Sequence, residues 1–85
     1  MRVLHLIRSL EDERALATAR SHARDHPIGL LLLQDAVLAR VSDFPGRVYA
    51  CAEDVLARGK GGEYEEVSYE VMARLIFEHD KVITW

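Results

Sequence analysis

Apolar residues in this chain fall into short unbroken runs, separated by stretches where they recur at helical spacing. The first run, Val3 to Ile7 around His5, reads as a strand. Ser9 can cap the next helix, with Asp12 three residues on and acidic residues crowding the first turn. That helix is expected to reach about Arg24. Leu16, Ala19 and Ala23 form its apolar stripe, and Asp25, His26 and Pro27 stop it. The run Ile28 to Leu33 is continuously apolar, the pattern of a central parallel strand covered on both faces. Asp35 then stands as the expected cap of a short helix through Val37, Leu38 and Val41.

Phe44, Pro45 and Gly46 predict a turn, and Arg47 to Cys51 a third strand. A helix through Val55 and Leu56 follows, with Gly59 just past its end, where helices favour glycine. A weak strand is expected near Tyr64 to Val67. Ser68 caps the last helix, whose inner stripe is Val71, Met72, Leu75 and Ile76, while Ala73 and Phe77 add apolar surface on another side. Lys81 to Trp85 predicts a fifth strand. Repeated β–α units with short loops mean an α/β fold, with a mostly parallel sheet and right-handed crossovers.

Length and charge narrow the picture. Eighty-five residues make a single domain, 1–85. A chain this short buries only about 60–65% of its unfolded surface, so its core is small. The net charge of −3 argues against a protein that grips nucleic acid through a basic face. One cysteine allows no internal disulfide, which fits a reducing, cytoplasmic setting. Arg8 interrupts the apolar start too early for a signal peptide, and Ile28 to Leu33 is too short to span a bilayer. No membrane contact and no cofactor are expected.

Cys51 is the first candidate for chemistry. It lies at the carboxyl end of the third strand, just before a helix, where ligands of open α/β sheets collect. A helix N-terminus favours a thiolate, and the main-chain N–H groups of Ala52 and Glu53 are candidates to stabilise the anion. Such a sulfur is expected to be at least partly accessible. The other reading is a small buried hydrophobe, and the carboxylates of Glu53 and Asp54 oppose thiolate formation.

Other motifs carry less. Gly59, Lys60, Gly61 and Gly62 resemble a phosphate loop in composition, but no Ser or Thr follows Lys60 in frame, and a helix cap with a loop explains them. His22 and His26 are spaced i and i+4 but lack a third ligand, so no metal site is expected and both read as a solvated helix end. His5 reads as a hydrogen-bonded core or interface histidine. Glu70, Arg74 and Glu78 read as i,i+4 surface pairs. Trp85 reads as a hydrophobic anchor.

The pieces VLHLIRS (from Val3), LLLLQDAV (from Leu30), VYACAEDVLARG (from Val48) and FEHDKVITW (from Phe77) together resemble the TusB/DsrH family across nearly the whole chain. The resemblance implies a three-layer α/β/α fold with a parallel five-stranded sheet in the order 4-3-2-1-5. It implies a cytoplasmic complex with TusC/DsrF-like and TusD/DsrE-like sister subunits. In one branch that complex relays persulfide sulfur toward 2-thiouridine at the tRNA wobble position; in the other it serves sulfur oxidation. In TusB-like members the position of Cys51 is often aliphatic. The relay cysteine belongs to the TusD/DsrE-like sister, at the end of its third strand and eight residues before a glycine. Cys51 stands eight residues before Gly59. Two roles follow: a persulfide carrier through Cys51, or a non-catalytic subunit that scaffolds its sisters.

The implied strand order has a consequence for assembly. Right-handed crossovers put the first three helices on one face and the last helix on the other. One helix cannot cover five strands, so part of that face is expected to stay open and apolar. It would be buried against sister subunits or a second copy of the chain, with Phe77 or Trp85 near the contact.

Overall fold

The computed structural model describes residues 1–41, 43–59 and 63–85. Its elements alternate: β1 (Val3–Ile7), α1 (Glu13–His22), β2 (Ile28–Leu32), a 3-10 turn (Gln34–Leu38), β3 (Arg47–Cys51), α2 (Ala52–Ala57), β4 (Glu65–Val67), α3 (Tyr69–Glu78) and β5 (Lys81–Thr84). All strand pairs are parallel, and the sheet order is β4-β3-β2-β1-β5, as expected. The central strand β2 is buried at every position. That is why its sequence shows no alternation: both faces are covered.

The two faces carry separate cores. On one, Val3, Ile7, Leu30, Leu32 and Ala50 meet Ala15 and Ala19 of α1, Val37 of the 3-10 turn and Val55 of α2. The small alanines let α1 approach the sheet closely. On the other face Leu4, Leu31, Tyr49 and Val67 meet Leu75 of α3, with Val71 and Met72 packed around it. This is the three-layer arrangement, three helical segments against one. The strand surface under α3 is covered at its centre, while Leu6, Leu33 and Val82 beside it are only half-buried. Leu4 and Leu31 are fully buried there, because Val71, Met72 and Leu75 reach down together. The outer side of α3 is open as well.

Several helix boundaries differ from the sequence reading. Helix α1 starts three residues later than a Ser9 cap would place it. Asp12 is the cap, and its Oδ1 accepts from the Ala15 N–H at 3.0 Å. Both Ser9 and Asp12 are good caps, and Asp12 wins because it puts Ala15 and Ala19 on the sheet. The helix ends at His22 rather than near Arg24, with residues 23–25 in a turn. Asp35 caps nothing. The segment after β2 is a 3-10 turn whose cap position is Leu33, and it begins with Gln34 in a left-handed conformation, φ 51°. Ser68 does cap α3, accepting from the Val71 N–H at 3.2 Å.

Two glycines are needed by the backbone. Gly59 closes α2 at φ 66°, a conformation that costs an L side chain about 1–2 kcal/mol. At Gly46 a Cβ would run into the Ile28 carbonyl oxygen, so the turn into β3 requires a bare backbone. The Tyr64 hydroxyl ties the loop before β3 to β4: it accepts from the Val41 N–H at 2.8 Å and donates to the Ala39 carbonyl at 2.7 Å. Residues 60–62 of the glycine–lysine stretch lie outside the described residues.

Candidate functional site

Strand β3 and helix α2 meet without a loop. Cys51 is the last residue of one and the cap position of the other, with extended backbone. Along β3, Arg47, Tyr49 and Cys51 point to the α3 face, while Val48 and Ala50 point to the α1 face. Val67 of β4 sits beside Cys51 in register.

The position is the expected one, but the sulfur is not accessible. Cys51 is 1% exposed. Its thiol is also less acidic than an ordinary one. Burial pushes the pKa up most, and the Asp54 N–H pulls it back. The Asp54 carboxylate then raises it again, by hydrogen bonding and charge, and the Glu53 N–H lowers it least. No capping hydrogen bond closes onto the sulfur. The N–H groups that favour the anion belong to Asp54 and Glu53, not to Ala52 and Glu53 as expected. The side chain of a cap residue reaches the second and third helical N–H groups and passes the first. The expectation of an at least partly accessible sulfur is therefore overturned. Cys51 stands at the carboxyl end of β3 but is covered there, and burial holds its thiol in the protonated form.

A hydrogen-bonded cluster surrounds it. The Asp54 carboxylate accepts from the Gln34 N–H at 2.7 Å. Arg58 donates through Nε and Nη2 to one oxygen of Asp35, at 3.0 and 2.9 Å, and through Nη1 to the Asp54 carbonyl at 3.2 Å. This pairing, and not a helix cap, is what Asp35 does. Arg58 also lies 3.9 Å from the Asp54 carboxylate. Sequence reasoning named Asp54 as a carboxylate opposing the thiolate, and Asp54 does push the thiol up, but it passed over Gln34 and Arg58. The i,i+4 spacing of Asp54 and Arg58 was a readable signal; the left-handed turn that aims the Gln34 N–H at Asp54 was not. From α3, the exposed Tyr69 phenol is pushed up by hydrogen bonding and charge from Glu53, with a further push from Cys51. The start of α3 thus lies over the Cys51 end of β3.

The remaining candidates separate from this cluster. A cleft of about 360 Å³ opens on the α1 side, lined by Leu10, Asp12, Leu16, Leu38 and Arg40 among others. A smaller one of about 110 Å³ lies near Arg2, Gly29 and His79. Cys51 lines neither. Phe77 is 91% exposed on α3. Trp85 is not beside it: it is half-buried in the α1-side core, and its indole N–H donates to His5. His22 is likewise no solvated helix end but a partner of His5. Among the described residues, no cluster of three or more His, Cys, Asp or Glu could hold a metal. Glu70, Arg74 and Glu78 make no ion pair at bonding distance among the described residues.

The sequence matches no protein-family model and no curated protein. The structure is similar to a crystal structure of the ychN protein from E. coli, with a TM-score of 0.78 over 99% of this chain and 98% of that one, at 15% sequence identity. At that identity the likeness shows a shared fold.

Proposed function

We propose that this chain is a TusB/DsrH-like subunit of a cytoplasmic sulfur-relay complex, and that its part in that complex is structural. One observation carries the reading. Two of the three specific stretches of the resemblance, LLLQD and the VYA…ED…ARG block, converge into a single cluster through Gln34–Asp54 and Asp35–Arg58. That cluster stands at the β3–α2 junction, where the sister subunit's relay cysteine is expected. The fold shared with the ychN protein is consistent with it.

The state of Cys51 favours the scaffold over the carrier. A persulfide relay needs a thiolate that can attack a sulfur atom and an open path to it. Here burial and the Asp54 carboxylate keep the thiol protonated and covered. The chain instead offers a surface. Tyr69, Ala73, Ile76 and Phe77 recur at i, i+4, i+7 and i+8 along α3 and are all exposed. In the proposed complex this stripe docks on the TusC/DsrF-like and TusD/DsrE-like sisters. The complex serves tRNA thiolation or sulfur oxidation without direct nucleic-acid contact from this chain.

Co-expression with a TusC/DsrF-like and a TusD/DsrE-like partner tests this. The expected result is a stable ternary complex on size exclusion that Phe77→Asp disrupts. A chain that elutes alone beside both partners would refute the reading.

A further inference from the structure

His5 is the one buried polar side chain among the described core residues, at 0% exposure. The Trp85 indole Nε1–H donates to His5 Nδ1 at 2.9 Å, and His5 Nε2 lies 3.2 Å from His22 Nδ1. These contacts fix both tautomers. An indole N–H can only donate, so His5 Nδ1 must accept and carries no proton. The neutral ring then holds its proton on Nε2 and donates it to His22. His22 must therefore accept at Nδ1 and keep its own proton on Nε2. The hydrogen bonds run one way, from Trp85 to His5 to His22, and each needs neutral imidazoles. A second proton on His5 would face the indole N–H. A proton on His22 Nδ1 would face the His5 N–H.

Among the described residues, no hydrogen bond or ion pair joins His5 or His22 to a carboxylate. From α1 the group facing His5 is His22, at a ring-centroid distance of 5.2 Å. The flanking strands present Leu30 and Ile83 in register. Trp85 lies nearly parallel to the His5 ring, 6.0 Å away, and its carbonyl oxygen accepts from Arg8 Nε at 2.8 Å, which adds another cation. Burial, then the charge of His22, lowers the His5 pKa from its ordinary value of 6.5. The contacts fasten one element. Strand β5 pairs with β1 alone at the sheet edge, and its last backbone link is the Trp85 N–H to the Leu6 carbonyl, 3.0 Å.

We propose that His5, His22 and Trp85 form a pH-operated latch. It fastens the end of β5 to β1 while His5 is neutral and releases it when His5 takes up a second proton. The sign follows from linkage. The unfolded chain binds a proton on His5 more readily than the folded one, so this stabilisation is complete above about pH 6.5 and is lost as pH falls below it.

Trp85 is the chain's sole tryptophan and reports on the latch directly. Its emission and the amide exchange of β5 are followed from about pH 8 to about pH 5, beside ¹⁵N spectra of the histidine rings. Expected are an Nε2–H tautomer for His5 at the upper pH, and a cooperative change in emission on acidification. Exchange should rise about tenfold in β5 while β2 stays protected. His22→Gln keeps an acceptor for the His5 N–H but removes the second charge, so its midpoint should move up. An Nδ1–H tautomer in the wild type, a flat emission and exchange profile, or a midpoint unmoved in His22→Gln would each overturn the latch.

Discussion

At Cys51 burial outweighs position. The residue stands where a helix start should activate a thiol, yet α2 is only six residues long, and the favourable N–H groups compete with loss of water and with a carboxylate. A helix terminus contributes about 0.3–1 kcal/mol to a nearby anion, less than the desolvation of a buried one. Two expectations follow. Alkylation of Cys51 at neutral pH should be slow in the native protein and fast in denaturant; equal rates would show an open sulfur. Asp54→Asn keeps an acceptor for the Gln34 N–H but removes the charge that pushes the thiol up. Its labelling should be roughly three- to tenfold faster at the same pH. An unchanged rate would remove Asp54 from control of the sulfur. Cys51→Ser should lose little stability, since a serine hydroxyl at a cap position can accept from the N–H groups the sulfur does not engage.

Elements show how far the sequence could be read. Strand β3 and the Ser68 cap were legible to the residue, because an apolar run with a following helix and a serine before an amphipathic stretch are local signals. The start of α1 was not. Ser9 and Asp12 both satisfy the local rule, and the choice depends on which puts alanines on the sheet. The role of Asp35 was also hidden, since its partner Arg58 is far along the chain and they meet only in the fold. The histidine–tryptophan contact spans almost the whole sequence for the same reason. Helix α3 yields a cleaner test. Ser68→Ala should cost about 1 kcal/mol by removing the bond to the Val71 N–H. Phe77→Ser should change the stability of the isolated chain by less than about 0.5 kcal/mol. Urea denaturation of both variants measures the difference; comparable losses would mean that Phe77 packs within the chain.

For the whole molecule, helical segments lie on both faces of the sheet, but Leu6, Leu33 and Val82 stay partly exposed beside α3, and further apolar surface lies along its outer side. Away from α3, Leu56 on α2 is 81% accessible, and Met1 and Leu10 are exposed as well. No helix among the described residues is long and apolar enough to cross a membrane. A surface of this kind suits a subunit whose work is done by where it holds others, and the covered thiol suits the same role. The most direct test is sulfur transfer in the reconstituted complex with a labelled persulfide donor. Sulfur flow should require this chain, should continue with Cys51→Ala in place of the wild type, and should leave no label on Cys51. Flow that stops in Cys51→Ala while the complex stays intact, with labelled persulfide on Cys51 in the wild type, would contradict the structural role.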